Sequence, residues 1–270
     1  MVQRHLRVRS RNYSNKPLRE IAVPITTIYR AGSITPTEQI TRNRRYIEIN
    51  SADACRISSS KIEMKKRFVH GHIETPKFFM VKSSESCKSK CLHYLIKWKH
   101  GIIAKRYNSS KGNGLFLIKN EEDLNEFLQD KSNAELKKWI FEKFSTFSRE
   151  YRLHVTQNGC FYACRKMLKN DADVRWHRHD ENSVWITENN ELFRKPSNWD
   201  TIVNGCVNAL KSVGLDIAAF DVKVQSKEED PKYLILECNS APGLGEIGIE
   251  KYKQELQNII NQKYQQRYGL

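Results

Sequence analysis

Apolar positions recur with two different periods along this 270-residue chain. Two late runs, residues 214–224 and 233–244, are apolar and rich in β-branched residues, the composition of buried strands. Each is interrupted by polar groups that a buried strand normally excludes: Asp221 in the first, Glu237 and Asn239 in the second. Glu237 and Asn239 are two apart, so on a strand they share one face. If the two strands are neighbours, three oxygen-bearing side chains converge. Two carboxylates and an amide suit a hard cation such as Mg²⁺, which takes few protein ligands and leaves positions for water and phosphate. Pro242-Gly243 then turns the chain.

Earlier segments alternate between strand and helix patterns. The pattern predicts strands at 21–29, broken by Pro24, and at 46–50, with a loop between them. Ser58-Ser59-Ser60 supplies an N-cap for a helix from Lys61 to Val69, closed by Gly71 and Pro76. Residues 92–98 fit either helix or strand. Residues 102–105 and 115–118 read as a hairpin whose tip, Ser109–Gly114, carries two glycines. Asn120 opens a helix with apolar Leu124, Phe127 and Leu128. Residues 139–144 read as a strand, and 150–155 with 160–164 as a hairpin about Asn158-Gly159. Helical spacing returns at 202–213 and in a terminal helix bearing Ile249, Tyr252, Leu256, Ile259 and Tyr264 on one face. Strands and helices mix without regular βαβ alternation, so an α+β (α/β) fold is expected.

The net charge of +15 is uneven: residues 1–46 hold ten Lys/Arg against two Glu. Residues 1–20 read as a basic, unstructured arm. Such an excess points to an anionic partner, whether nucleic acid, an acidic protein tail or nucleotide phosphates, or else to a solvated arm. Seven cysteines without regular spacing argue against a disulfide framework and for a reducing cytoplasm. No stretch is long and apolar enough to span a membrane, and the N-terminus lacks the apolar core of a signal peptide. Cys87, Cys91 and His93 lack a fourth ligand for zinc. Cys238 points away from the face of Glu237 and reads as core.

Taken together, these pieces resemble an ATP-grasp enzyme, and within that superfamily the RimK-type ligases, over about residues 47 to 265. The resemblance implies a small antiparallel lid subdomain (78–144) over a larger C-terminal sheet subdomain (145–270), preceded by a trimmed N-terminal region (21–77). It implies ATP and Mg²⁺, two ions by the family pattern with Mn²⁺ an allowed substitute, and an ATP-dependent joining of a carboxylate to an amine. Asp221, Glu237 and Asn239 match the family's metal ligands. Lys105 matches its phosphate-reaching lysine, supported by Ser110, Lys111, Gly112 and Gly114, whose glycines let backbone N–H groups approach phosphate. Glu142, Lys143 and Phe144 match the hinge that reads adenine, and Glu150 the ribose-binding carboxylate. Glu150-Tyr151-Arg152 stands where Asp-x-Arg is usual, making Arg152 a nucleotide-site residue. Arg165 matches the arginine that steadies a transferring phosphoryl group and then an oxyanion, a task suited to forked guanidinium donors. Arg175 matches the Arg of an acceptor-facing Arg-x-Asn segment, with His177 in place of the Asn. Lys61 falls where relatives carry a helix-opening lysine and is read as structural. An acidic protein or peptide is one acceptor compatible with the resemblance. The alternative is a nucleic-acid-binding protein that uses residues 1–46.

Overall fold

Three sheets follow one another along the chain. The computed structural model describes residues 6–9, 25–42, 45–107, 114–172, 174–178 and 181–268. The first sheet holds β1 (Leu6–Arg9), β2 (Thr26–Arg30) and β3 (Tyr46–Ile49), paired in parallel in that order. β1 falls inside the stretch expected to lack structure; residues 1–5 and 10–24 lie outside the described residues. Helix α1 (Thr37–Ile40) sits between β2 and β3, and α2 (Ala52–Ser59) and α3 (Lys61–His70) follow. Ser51 and Ser60 cap the last two by accepting from the amides of Ala54 and Glu63. Arg30 is fully buried, bonded to Glu48, Thr37 and the carbonyls of Ser33 and Thr35. One of the ten basic residues in 1–46 is therefore spent on shaping this loop.

The second sheet has the order β4-β7-β5-β6, every pairing antiparallel. It is built from β4 (Phe78–Phe79), α4 (Ser84–Lys97), β5 (Ile102–Arg106), β6 (Leu115–Ile118), α5 (Glu121–Leu128), α6 (Asn133–Leu136) and β7 (Trp139–Lys143). The segment that fitted helix or strand is helical, because Ser83 caps it and Cys87 and Cys91, four apart, both face the apolar side. Their sulfurs lie 3.9 Å apart in the core while His93 is exposed. Phe79 stacks on Phe141 at 5.1 Å, one contact of the cluster that holds α4 and α5 on the sheet. Gly101 precedes β5 at φ +95°, and a Cβ there would meet the Ile118 carbonyl oxygen at 2.5 Å. Gly101→Ala is expected to cost about 3 kcal/mol, read as a lower urea midpoint, because strain and clash add.

The third sheet is antiparallel, in the order β10-β9-β8-β11-β12. Its elements are β8 (Arg149–Thr156), β9 (Gly159–Leu168), β10 (Ser183–Thr187), α7 (Trp199–Val213), β11 (Ile217–Val224), β12 (Tyr233–Asn239) and α8 (Glu246–Tyr268). One face buries Tyr151, Leu153, Val155, Phe220 and Val222 against Ile202, Cys206, Ala209 and Leu210 of α7. Tyr252, Leu256 and Ile259 of α8 pack on Tyr29, Ile49 and Ile217, tying the first sheet to the third. Ile249, expected on that buried face, is exposed. Asn50, at φ 60°, reinforces the joint: its Oδ1 accepts from the amides of Asp216 and Ile217, and its own amide donates to Asp216 at 2.7 Å. Among the described residues no helix is long and apolar enough to cross a membrane.

Two register shifts set which side chains face the second sheet. In the β8–β9 hairpin Thr156 pairs with Gly159 and Val155 with Cys160, but His154 pairs with Tyr162. Phe161 is the extra residue of a bulge. In β11–β12, Asp221 pairs with Glu237 but Val222 with Ile235, so Leu236 is bulged.

Candidate active site

Directly paired residues of antiparallel strands point to the same face, so the register lays out the site in rows. One row crosses the third sheet as Thr187, Cys164, Arg152, Asp221 and Glu237. A second runs Trp185, Lys166, Glu150 and Lys223. A third holds Tyr162, His154, Ala219 and Asn239. All three face a cleft of about 1570 Å³ whose opposite wall is the second sheet. From that wall Ile103, Lys105, Leu115 and Glu142 project together, since Ile103 pairs with Glu142 and Lys105 with Leu115. Lys61 and Met64 of α3 and the turn from Ser240 to Gly245 also contribute to the lining.

The expected metal set is brought together. Asp221 and Glu237 are opposite one another, and the Asn239 amide lies 3.4 Å from Glu237 Oε1. Arg152 forks onto Asp221 through Nε at 2.6 Å and Nη2 at 2.9 Å. Burial alone would raise the Asp221 carboxyl, but that fork holds it below the ordinary carboxylate range. Glu237 has no such fork; burial first and the neighbouring Asp221 carboxylate second push it up. Asp221 thus stands between the Arg152 guanidinium and the Glu237 carboxylate, so two adjacent carboxylates share one flanking guanidinium, and a bound cation relieves that shortage of positive charge. Among the described residues no trio of His, Cys, Asp and Glu forms a metal cluster. The set here is two carboxylates and an amide, which fits Mg²⁺ in kind.

The expected nucleotide residues mostly line the same cleft. Seven cationic side chains and four carboxylates face it, an excess that suits a polyphosphate. Lys105 Nζ lies 2.8 Å from Glu142 Oε2, close enough for ion pairing but off hydrogen-bond alignment. Burial opposes the Lys105 charge, yet Glu142 outweighs it and holds the ammonium above its usual range. Burial lowers the pKa of Lys61 and of Lys223. Glu150 is raised by burial and lies 3.4 Å from Arg178 Nη1, while Arg178 Nε is buried with no hydrogen-bond partner among the described residues. Phe144 meets Trp176 edge-on at 6.4 Å, with the Lys223 ammonium 5.6 Å from the Phe144 ring. The amides of Lys143 and Phe144 donate to Lys77 O and Gly101 O, so the hinge's own N–H groups there are committed within the protein. Gly114, at φ 72°, stays off the cleft wall and closes the hairpin by accepting from the Arg106 amide. Ser110, Lys111 and Gly112 lie outside the described residues.

The two expected catalytic arginines are not brought to the cleft. Arg165 pairs with Tyr151 and therefore faces α7, where it bonds the Leu192 carbonyl at 2.8 Å. This corrects the placement expected for it. An unbroken hairpin from Thr156–Gly159 would have set Arg165 opposite Glu150, but the bulge at Phe161 flips the parity and presents Lys166 instead. Arg175 is exposed and off the cleft wall; its successors Trp176, His177 and Arg178 line it. Lys61, read as structural, also lines it. Lys166, Lys223 and Arg178 were not singled out in the sequence. Lys223 carried a signal, standing two residues from Asp221 on one strand face.

A family profile described as a RimK-like ATP-grasp domain matches residues 55–261. No curated protein matches the chain. Among solved structures, D-alanine–D-alanine ligase from Bacillus anthracis is similar at TM-score 0.55 and 14% identity, covering 78% of this chain and 66% of that one. N5-carboxyaminoimidazole synthetase from Staphylococcus aureus, complexed with ADP, is similar at TM-score 0.60 and 17% identity, covering 83% and 56%. Macrocyclase MdnC, bound with precursor peptide MdnA from Microcystis aeruginosa MRC, is similar at TM-score 0.52 and 14% identity, covering 77% and 61%. The chain thus spans less than two thirds of each of these relatives, and identities this low show a shared fold. With the profile matched across most of its length, the chain belongs to the RimK-like ATP-grasp family.

Proposed function

We propose that this chain is an ATP-dependent ligase that joins a carboxylate to an amine through an acyl phosphate. The observation that carries the reading is the row Arg152–Asp221–Glu237, three adjacent strands deep in one cleft, facing Lys105 of the second sheet. On this reading residues 78–144 act as a lid over the nucleotide and residues 145–270 carry the sheet beneath it. Lys61 and Lys105 attract the polyphosphate, Glu150 and Arg178 flank the sugar, and Phe144 and Leu236 offer apolar surface to the base. Asp221, Glu237 and Asn239 would hold Mg²⁺, which when bound neutralises phosphate charge. Arg152 keeps the Asp221 carboxylate ionised and in one orientation. Lys166, on the neighbouring row, supplies a fixed cation for oxyanion charge at the acyl carbon.

The γ-phosphoryl group passes from ATP to a carboxylate oxygen of the acid, with ADP leaving. The amine then attacks the acyl carbon, its proton is lost and inorganic phosphate departs. The protein's part is positioning and charge stabilisation. A peptide or protein is among the acceptors to test, because MdnC binds a precursor peptide. The nucleic-acid alternative is not taken up, since no feature of the described residues favours it. Incubating the protein with ATP, Mg²⁺ and panels of acids and amines is expected to yield ADP and phosphate only when both co-substrates are present. Production of AMP and pyrophosphate would rule the reading out.

A further inference from the structure

Lys65 is an unusual residue to find on the buried face of α3, whose next two positions, Lys66 and Arg67, are exposed. It is 1% exposed and is absent from the cleft lining, yet its ammonium reaches Glu142 of the cleft wall. Lys65 Nζ donates to Thr75 Oγ1 at 2.6 Å and lies 3.4 Å from Glu142 Oε1. The other Glu142 oxygen faces Lys105 at 2.8 Å. Thr75 in turn donates to the Ile235 carbonyl of β12 at 2.8 Å, so the chain of contacts spans α3, β7, β5 and β12. One carboxylate is thus shared by two ammonium groups, one on each oxygen.

The charge arithmetic follows from that sharing. A Glu142–Lys105 pair alone is neutral and would present little net attraction to a polyphosphate. With Lys65 on the second oxygen, the trio carries one net positive charge, and of its two lysines it is Lys105 that lines the cleft. We propose that Lys65 is a positioning residue for the nucleotide end of the cleft: by neutralising Glu142 from behind, it leaves the Lys105 charge available to phosphate without touching the ligand itself. The inference rests on reading this cleft as a nucleotide site. A purely structural lysine would be an inefficient choice here, since an apolar side chain of similar length fills such a position at no electrostatic cost. Burial also brings the Lys65 pKa down to about 8 against the pull of Glu142. The groups that face it are Glu142 and Lys105 from the second sheet and Glu237 from β12, with Lys61 on its own helix.

The test is titration calorimetry of the full chain with a non-hydrolysable ATP analogue and Mg²⁺ from pH 6.5 to 9, with steady-state kinetics alongside. Lys65→Met is expected to weaken analogue binding about tenfold at pH 7, the effect of one unit charge at this range in a partly shielded site. The KM for ATP should rise to match, and kcat should change little. Wild-type affinity should fall as the pH rises through 8, a limb that Lys65→Met lacks because its charge is already gone. Thr75→Val keeps the lysine but strips an acceptor from it, and should move that limb to lower pH. This second variant decides the matter if Lys65→Met fails to fold. Equal binding by Lys65→Met and wild type at pH 7, or a limb unmoved in Thr75→Val, overturns the role of Lys65. Absence of binding by the wild-type protein instead overturns the nucleotide reading.

Discussion

Glu237→Gln is expected to lower ligase turnover by at least about a thousandfold, ~4 kcal/mol of lost transition-state stabilisation, while leaving the fold as stable as before. The substitution is isosteric and removes only charge. In the protein without metal that charge is a burden. Burial and Asp221 raise the Glu237 carboxyl pKa, so its ionised form is disfavoured in the folded state. The sign is therefore that wild type loses stability as the pH climbs from the unfolded carboxylate value through the raised folded one, and the amide escapes this loss. Measured in EDTA at pH 7, the variant should melt at or above the wild-type temperature. Asp221→Asn should behave differently. Its carboxyl is held low by the Arg152 fork, so it contributes stability at neutral pH that is lost on acidification. That variant is expected to lose turnover and melting temperature together, because Arg152 is left with an incomplete partner. Wild-type rates in either variant would remove the proposed metal set. Equal melting behaviour in the two would remove the electrostatic account of it.

The second large effect separates two neighbouring residues. Lys166→Met is expected to lower kcat/KM about a hundredfold, the scale of losing one preorganised cation from an active site. Methionine keeps the length of the side chain beside Trp185, whose ring lies 5.0 Å from the ammonium, so packing is largely preserved. Arg165→Met should leave turnover near wild type and act on stability, because its guanidinium bonds the Leu192 carbonyl on the far face of the sheet. The comparison is made on purified variants assayed well below their melting temperatures with saturating ATP. A severe defect in Arg165→Met alongside an active Lys166→Met would mean that the β9 register inferred from the bulge does not hold in the working enzyme. The family match alone favours neither residue, since it spans both.

Much of the molecule was legible before any coordinates. Serine and asparagine caps marked α3 and α5, the Asn158-Gly159 turn marked the β8–β9 hairpin, alternation marked β3, and two short apolar runs about a glycine-bearing loop marked β5 and β6. These signals are local, so each survives whatever the rest of the chain does. The pairing of Asp221 with Glu237 was also within reach, because two buried-type strands bearing acids have little reason to exist unless the acids meet. The short edge strand β10 escaped, its apolar positions too few to stand out against the preceding loop.

What sequence determined by itself, then, is where the capped helices and the more apolar strands lie, which acids share a strand face, and that the chain is of the ATP-grasp kind. Tertiary structure alone decided which basic residues reach the cleft. Side-chain direction on a strand alternates with period two, and a single bulged residue, Phe161, reverses that alternation for everything beyond it. Lys65 likewise reads as one more helical lysine until packing against β7 and β12 buries it behind Glu142. Period and capping are properties of neighbours in sequence; register and burial belong to neighbours in space.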